Sequence, residues 1–302
     1  MAVKSGRVVI VTGAGTGLGR AYALRLAALG MRVVVNNRRR ELDAQGRSSA
    51  QQVVDAIRAA GGEAVANEAD ARDPAAGVAM VGQALQTWGR LDALVANAGV
   101  EQHAAFHRIG LEDFLEIFEI NFHGSLRVAH AAYAHMRGAG HGRIVLSTSS
   151  AGLHGLHGLS AYSASKAAII GLMRAIAAEG APRDVCCNAI APYAATRMTA
   201  GHGDPEVMAR LPVEQVVPLV ELLVDPGCRI NGQVVVAGGG RFRRASSVEG
   251  PGVAYAEPGA VTAAQLLRDW ERIAALDGAY EFPDALAAFA DFLAPPQGAA
   301  SS

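Results

Sequence analysis

The first thirty residues constrain the fold most. Arg7-Val-Val-Ile-Val-Thr12 is a continuous apolar and β-branched run, the pattern of a strand buried on both faces of a parallel sheet. It passes directly into Gly13-Ala14-Gly15-Thr16-Gly17-Leu18-Gly19 and then into Arg20–Leu29, a strong helix former closed by Gly30. Strand, glycine turn and helix N-terminus in this order make an anion cradle. N–H groups without intrahelical partners and the positive end of the helix dipole face one point, where a pyrophosphate fits. The glycines follow T-G-x-x-x-G-x-G rather than G-x-G-x-x-G, because Leu18 stands where the third glycine of the latter would fall.

Strand-like and helical runs alternate through the next two hundred residues. Strands are expected near 7–12, 32–36, 63–67, 91–97, 142–148, 184–190 and 233–237, and helices near 17–29, 47–60, 74–88, 111–138, 160–180 and 213–224. That alternation predicts an α/β, doubly wound parallel sheet; the expected order is 3-2-1-4-5-6-7, with a ligand crevice at the carboxyl ends of the strands. Thr12, Asn97, Ser149 and Pro192 all fall at such ends. The sheet domain is expected to span 1–240, ending at Gly238-Gly-Gly240. Residues 241–302 form a C-terminal helical extension, polar and turn-rich to Pro258, then helical over Thr262–Leu276 and Asp284–Leu293, with a disordered end.

Composition excludes several classes of function. At 302 residues, 51% hydrophobic and a formal charge of −1, the chain has ample core and no basic excess for nucleic acid. No apolar run reaches the ~18 residues of a membrane span, and no cleavable leader is evident. The three cysteines give no disulfide framework, and Cys186 and Cys187 read as small buried apolar groups in a strand. A cytoplasmic protein is expected. The nine histidines include His103/His107, His130/His135 and His154/His157, without a Cys or carboxylate cluster at a familiar spacing, so no metal site is expected.

The chemistry is carried by Tyr162-Ser-Ala-Ser-Lys166, with Ser149 thirteen residues before the tyrosine. A spacing of four sets two side chains on one helix face. An ammonium beside a phenol favours the phenolate and lowers the tyrosine pKa from its usual value of about 10, which gives a proton donor and acceptor usable near neutral pH.

Taken with Asn97-Ala98-Gly99 at the end of the apolar strand Leu91–Ala96 and Asn121 within the stretch 111–136, these motifs resemble the short-chain dehydrogenase/reductase family. The match is Gly13/Gly17/Gly19, Asn97–Gly99, Asn121, Ser149 and Tyr162/Lys166, over residues 7 to about 200. The resemblance implies a Rossmann-like fold and catalysis by Asn121, Ser149, Tyr162 and Lys166. Tyr162 would be the general acid or base. Lys166 would tune it and hold the nicotinamide ribose, Ser149 would bond the carbonyl oxygen, and Asn121 would kink its helix and hold a relay water. A nicotinamide cofactor would lie against Gly13, Gly15, Thr16, Gly17, Leu18, Gly19, Asn37, Arg38, Asp70, Ala71, Asn97, Ala98, Gly99, Tyr162, Lys166, Pro192 and Thr196. Asp70 is expected at the adenine and Thr196 at the carboxamide.

Gly6–Gly13, Gly19–Leu24, Val33–Asn36, Gly61–Asn67, Ile190–Pro192 and Arg197–Thr199 are similar to the D-3-hydroxyacyl-CoA dehydrogenase region of peroxisomal multifunctional enzymes of type 2, as is the tail from Thr262 to Leu276. Those relatives have an aspartate where this chain has Asn37, followed by Arg38-Arg39-Arg40. A neutral amide with three cations favours NADP over NAD, the alternative, because aspartate accepts from a ribose 2′-hydroxyl whereas arginine accommodates a 2′-phosphate.

His154, His157 and Tyr193 are expected to face substrate, Tyr193 standing where the family has glycine. Met198–Leu211 reads as a lid, and Arg197 and Arg210 are candidate anion contacts. The expected reaction interconverts a secondary alcohol and a ketone, on a 3-hydroxyacyl-CoA-like or bulky steroid-like small molecule. The alternatives are a polyketide-type ketoreductase and a nucleotide-binding regulator without catalysis. The family uses the helices at 111–136 and 160–180 as an interface, so a homodimer or homotetramer is expected, with the 241–302 extension packing near the active-site mouth, its own or the partner subunit's.

Overall fold

The computed structural model describes residues 6–39, 42–196, 204–255 and 257–293. Two units divide the chain at Ala245/Ser246.

In the first unit, β1 (Val8–Val11), β2 (Arg32–Asn36), β3 (Ala64–Asn67), β4 (Ala93–Ala96), β5 (Gly142–Ser147), β6 (Val185–Pro192), β7 (Val234–Gly238) and β8 (Arg241–Ala245) form one eight-stranded sheet. The order is β3-β2-β1-β4-β5-β6-β7-β8, parallel throughout except for the β7–β8 pair. The expected order 3-2-1-4-5-6-7 is the one observed, with β8 added at the β7 edge. Its central strands are apolar on both faces because helices cover both. Val9 and Val11 pack into one core with Tyr22 and Leu26, while Val8 and Ile10 pack into the other with Met80 and Met136. Helix α1 (Gly17–Ala28) lies on the first face. Helices α2 (Ser49–Ala59) and α3 (Ala76–Trp88) follow β2 and β3.

The sheet carries on past the boundary expected at Gly240. Gly239 and Gly240 have φ of 58° and 71°, so they form the two-residue loop of a hairpin in which Gly238 opposes Arg241. Two successive positive φ values match the twist of a tight hairpin, and a Gly-Gly pair adopts them without strain. The added edge strand exposes Arg241, Arg243 and Arg244, charges that discourage edge-to-edge pairing.

The stretch expected as one helix over 111–138 is α4 (Leu111–Phe118), a π-helical turn at Glu119–His123, and α5 (Gly124–Ala139). Short α6 (Ser150–His154) precedes α7 (Ser160–Gly180), and α8 (Pro205–Ala209) and α9 (Val217–Leu223) lie between β6 and β7.

The second unit holds α10 (Ala263–Arg268), α11 (Trp270–Ile273) and α12 (Ala285–Phe292), so the single helix expected over Thr262–Leu276 is two, meeting at Asp269. Thr262 and Gln265 close a reciprocal capping box on α10, and Tyr255 Oη donates to Asp269 Oδ2 at 2.9 Å. The expected disordered end from residue 294 lies outside the described residues.

Candidate active site

The glycine loop is shaped by close approach. A Cβ on Gly13 would stand 2.9 Å from Ala98 Cα, and one on Gly15 would stand 2.5 Å from Ser49 Oγ. Gly17 takes φ of 53°, and a Cβ there would face Thr196 Cγ2 at 3.6 Å. Thr16 N-caps α1 in extended conformation without a side-chain cap, and no acid occupies the first turn. The N-terminal amides of α1 therefore face the loop without a competing carboxylate, and Leu18 and Gly19 lie within that turn, Leu18 packing on the core. A cleft of about 1160 Å³ runs from Gly15, Thr16, Gly17 and Thr196 along α1 to α9, where Arg20, Leu24, Val217 and Glu221 line it, and its lining does not include Ser149, Tyr162 or Lys166. Bare backbone, open amides and a wide cleft suit the phosphates of a dinucleotide.

Asn97, Ala98 and Gly99 are joined to this loop through Thr12. Its Oγ1 accepts from Asn97 N–H at 2.9 Å and Ala98 N–H at 3.0 Å, while Asn97 Nδ2 donates to Thr12 carbonyl oxygen at 3.3 Å. Two strand ends distant in sequence are thereby held in register. A Cβ on Gly99 would lie 3.2 Å from Asn121 Oδ1 and 3.4 Å from Lys166 Nζ, so the strand end sits directly over both residues.

At the end of β2, Asn37 N–H donates to Asn67 carbonyl oxygen at 3.0 Å, and its Nδ2 donates to Ser49 Oγ at 2.7 Å. Asp70 is paired with Arg72 at 2.7 Å, and that bond, aided by the nearby Arg38 charge, lowers its carboxyl to about 2. Ala71 backs the same corner, its carbonyl accepting from Arg127 Nη1 at 2.9 Å. Arg40 lies outside the described residues.

Asn121 sits in the π-helical turn and is fully buried, 0% exposed. Its Oδ1 accepts from Val100 N–H at 2.8 Å, and its Nδ2 donates to Val100 carbonyl oxygen at 2.9 Å and to Ser165 Oγ at 3.1 Å. A π turn inserts one residue and breaks the regular i→i−4 ladder. Ser125 Oγ donates to the Asn121 carbonyl at 2.8 Å, and Ser165 Oγ donates to the Tyr162 carbonyl at 2.8 Å. Asn121 thus ties the β4 loop to the helix carrying the tyrosine. Ser165, an unremarked position inside the Tyr162–Lys166 run, is its partner.

Ser149, Tyr162 and Lys166 converge. Ser149 N-caps α6, its Oγ accepting from Ala151 N–H at 3.2 Å, and it hydrogen-bonds the Tyr162 phenol. Lys166 is buried, its Nζ donating to the Ser147 carbonyl at 2.8 Å and lying 5.7 Å from the centroid of the Tyr162 ring. Burial lowers the lysine to about 8. The Tyr162 phenol is not lowered as the spacing alone predicts. Burial raises it, the Ser149 hydrogen bond opposes this, and the nearby Glu101 charge raises it further. The reason is geometric: the ammonium is drawn inward to Ser147 and does not reach the phenol oxygen with a hydrogen bond.

Residues 7–206 match the family model described as short chain dehydrogenase. A Mycobacterium tuberculosis chain named a short-chain type dehydrogenase/reductase is 38% identical over 90% of this chain and 96% of its own length. The chain belongs to the short-chain dehydrogenase/reductase family. Mouse peroxisomal multifunctional enzyme type 2 is 40% identical over 78% of this chain, which spans only 32% of that enzyme. The crystal structure of a short chain dehydrogenase from Mycobacterium avium superimposes with a TM-score of 0.80, 40% identical, covering 90% of this chain and 96% of that one. Members of this family of oxidoreductases typically use a nicotinamide cofactor.

Around this short-chain dehydrogenase/reductase centre, Pro192 ends β6 and Tyr193 follows it, 48% exposed, its N–H bonded to Ala237 carbonyl oxygen at 2.8 Å. His154 closes α6 and His157 lies in the following loop, both exposed. The wall between them and β4 is set by Ala104 N–H donating to Gly158 carbonyl oxygen at 2.9 Å. Glu101 and His103 stand on that wall, 3.8 Å apart. Thr196 is described, whereas Arg197 and residues 198–203 of the expected lid lie outside the described residues. Among the described residues, no group of three or more His, Cys, Asp or Glu is placed to hold a metal ion, and no helix is long and apolar enough to cross a membrane.

Proposed function

We propose that the protein interconverts a secondary alcohol and a ketone, with NADP as its preferred hydride carrier and Asn121, Ser149, Tyr162 and Lys166 as its catalytic set. One observation carries the reading: a tyrosine hydrogen-bonded to a serine lies beside a buried lysine, and that lysine lies under the Asn97–Gly99 strand end that Thr12 ties to the glycine loop. The bound nicotinamide supplies or accepts the hydride. In reduction, Ser149 and Tyr162 hydrogen-bond the carbonyl oxygen as negative charge develops on it, and Tyr162 delivers its proton there. In oxidation, Tyr162 takes the hydroxyl proton. Lys166 and the main chain at Asn97–Gly99 hold the nicotinamide end of the cofactor. Gly13–Gly19 hold its phosphates, and Asn37, Arg38, Asp70 and Ala71 hold its adenosine. Pro192 and Thr196 close over the carboxamide, and His154, His157 and Tyr193 line the substrate side.

The likeness to the dehydrogenase region of the multifunctional enzymes favours a 3-hydroxyacyl thioester as substrate, and the open, apolar-and-imidazole mouth also admits a steroid-like alcohol. The protein works as a homodimer or homotetramer. The test follows absorbance of the reduced nicotinamide, with NAD and NADP, against 3-hydroxybutyryl-CoA of each configuration, a hydroxysteroid and a simple secondary alcohol. Turnover of at least one alcohol supports the reading. Tight cofactor binding with no turnover across the panel and the matching ketones would point to a nucleotide-binding regulator.

A further inference from the structure

A short piece of chain beside Tyr162 is fixed at both ends. Asn121 holds Val100, accepting from its N–H at 2.8 Å and donating to its carbonyl at 2.9 Å. Ala104 bridges to Leu159, and its N–H donates to the Gly158 carbonyl at 2.9 Å. Leu159 is the N-cap of α7, the helix that carries Tyr162 in its first turn. Glu101 lies between these anchors, so the fold sets where it stands relative to the phenol. The next residue, Gln102, turns outward and donates to Asp113 Oδ2 at 3.3 Å. The Glu101 side chain turns inward and is only 15% exposed.

A carboxylate is thus built in near the oxygen that exchanges a proton with substrate, and its charge is felt at the Tyr162 phenol. Other groups here carry charge or can gain it. His103 Nε2 lies 3.8 Å from Glu101 Oε1, and His154 and His157 stand exposed on the substrate side. Lys166 is buried under the Gly99 strand end, where it donates to the Ser147 carbonyl at 2.8 Å. A substrate must bring its reacting carbon to Tyr162, so a substituent one or two bonds from that carbon enters the field of Glu101. Two like charges about 6 Å apart in a half-buried setting weaken binding by about tenfold to a hundredfold. An ester, a thioester or a ring carbon brings no charge and escapes that penalty.

We infer that Glu101 is a specificity-determining residue that keeps free carboxylates away from the reacting carbon. It selects neutral alcohols and ketones, esters and thioesters among them, over the corresponding hydroxy and keto acids. The inference rests on the alcohol–ketone reading above and narrows its substrates by charge.

Steady-state kinetics of the full chain with methyl 3-hydroxybutyrate and with 3-hydroxybutyrate test this, at about pH 8, above the ordinary histidine range. The ratio of ester to acid kcat/KM should be at least about tenfold in the wild type. It should fall at least about fivefold in Glu101→Gln, which removes the charge and keeps the shape, and Glu101→Asp should retain most of it. Any effect of these substitutions on Tyr162 itself acts on both substrates and cancels in the ratio. If neither compound is turned over, inhibition constants of the same pair against the best alcohol of the panel above give the ratio instead. A wild-type ratio near one, or a ratio that Glu101→Gln leaves unchanged, overturns the inference while leaving the alcohol–ketone reading intact. No turnover of any alcohol by the wild type would remove that reading, and this inference with it.

Discussion

Lys166 Nζ lies 5.7 Å from the centre of the Tyr162 ring yet gives its hydrogen bond to the Ser147 carbonyl, 2.8 Å away. The two side chains share one helix face, as their spacing of four requires, but the ammonium is committed to the sheet beneath rather than to the phenol. Burial consequently works against the charge of both residues: the lysine is lowered and the tyrosine raised. Tyr162 is therefore the neutral phenol at neutral pH, the form that donates a proton in carbonyl reduction.

Tyr162→Phe keeps the ring and removes the exchangeable proton. Steady-state kinetics should show kcat lower by about a hundredfold to ten-thousandfold, the range for general acid–base catalysis. Cofactor affinity should stay within a few-fold of wild type. Retention of more than about a tenth of wild-type kcat would rule out Tyr162 as the proton donor.

Alcohol oxidation should accelerate toward alkaline pH, because it consumes the phenolate form and the phenol is raised. Removing the negative charge that helps to raise it, with Glu101→Gln, should move the rising limb of kcat/KM to lower pH. The pH–rate profile of the two proteins side by side measures this. A limb that stays in place, or moves upward, would show that Glu101 does not act on Tyr162.

Lys166 yields a stability prediction whose sign is opposite to that of a surface lysine. Its folded value of about 8 lies below its ordinary 10.5, so burial of the charge costs stability below about pH 8. That cost disappears as pH rises from about 8 toward 10.5, because the unfolded chain holds the proton longer. Its full size is on the order of 3 kcal/mol at about 1.4 kcal/mol per pH unit. Chemical denaturation of wild type and Lys166→Met should therefore show the wild type gaining on the variant between pH 7 and 10. A pH-independent difference would place the ammonium in a better solvated position than the structure does.

Asn121→Ala removes three hydrogen bonds, one buried and two part-buried, and leaves both backbone groups of half-buried Val100 without this partner. A cost of about 2 kcal/mol is expected, since an unsatisfied buried group costs about 1–3 kcal/mol and the Val100 groups are only partly buried. The variant should also lose turnover, because Val100 follows the strand end that overlies Lys166. Urea denaturation showing a loss below about 1 kcal/mol would contradict the π turn's dependence on this side chain.

Phe106, Leu111 and Leu115 expose 76%, 73% and 57% of their surface at and just before α4. Exposed apolar groups close together in sequence are what the proposed assembly would cover. Light scattering at micromolar concentration should give at least a dimer, and Leu115→Glu should shift it toward the monomer. A wild-type monomer would remove the proposed assembly.

The sequence alone determined the alternation of strands and helices and most of the strands. β1 and β4 are apolar throughout, the pattern of strands buried on both faces, and the glycine loop and the Tyr162/Lys166 spacing are local signals that survive without tertiary contacts. Tertiary structure decided the rest. The eighth strand came from two glycines whose positive φ values make a hairpin rather than an end. The break at Glu119–His123 depends on Val100 and Ser165, 21 and 44 residues from Asn121. The Asn37–Ser49 pair joins a strand end to a later helix start, and the ionisation of Tyr162 depends on burial, on Ser149 and on Glu101 from another loop. Periodicity and spacing report what one segment prefers. Hydrogen bonding between distant segments and loss of solvent arise only when the sheet brings those segments to one edge, and they set where each proton and each charge resides.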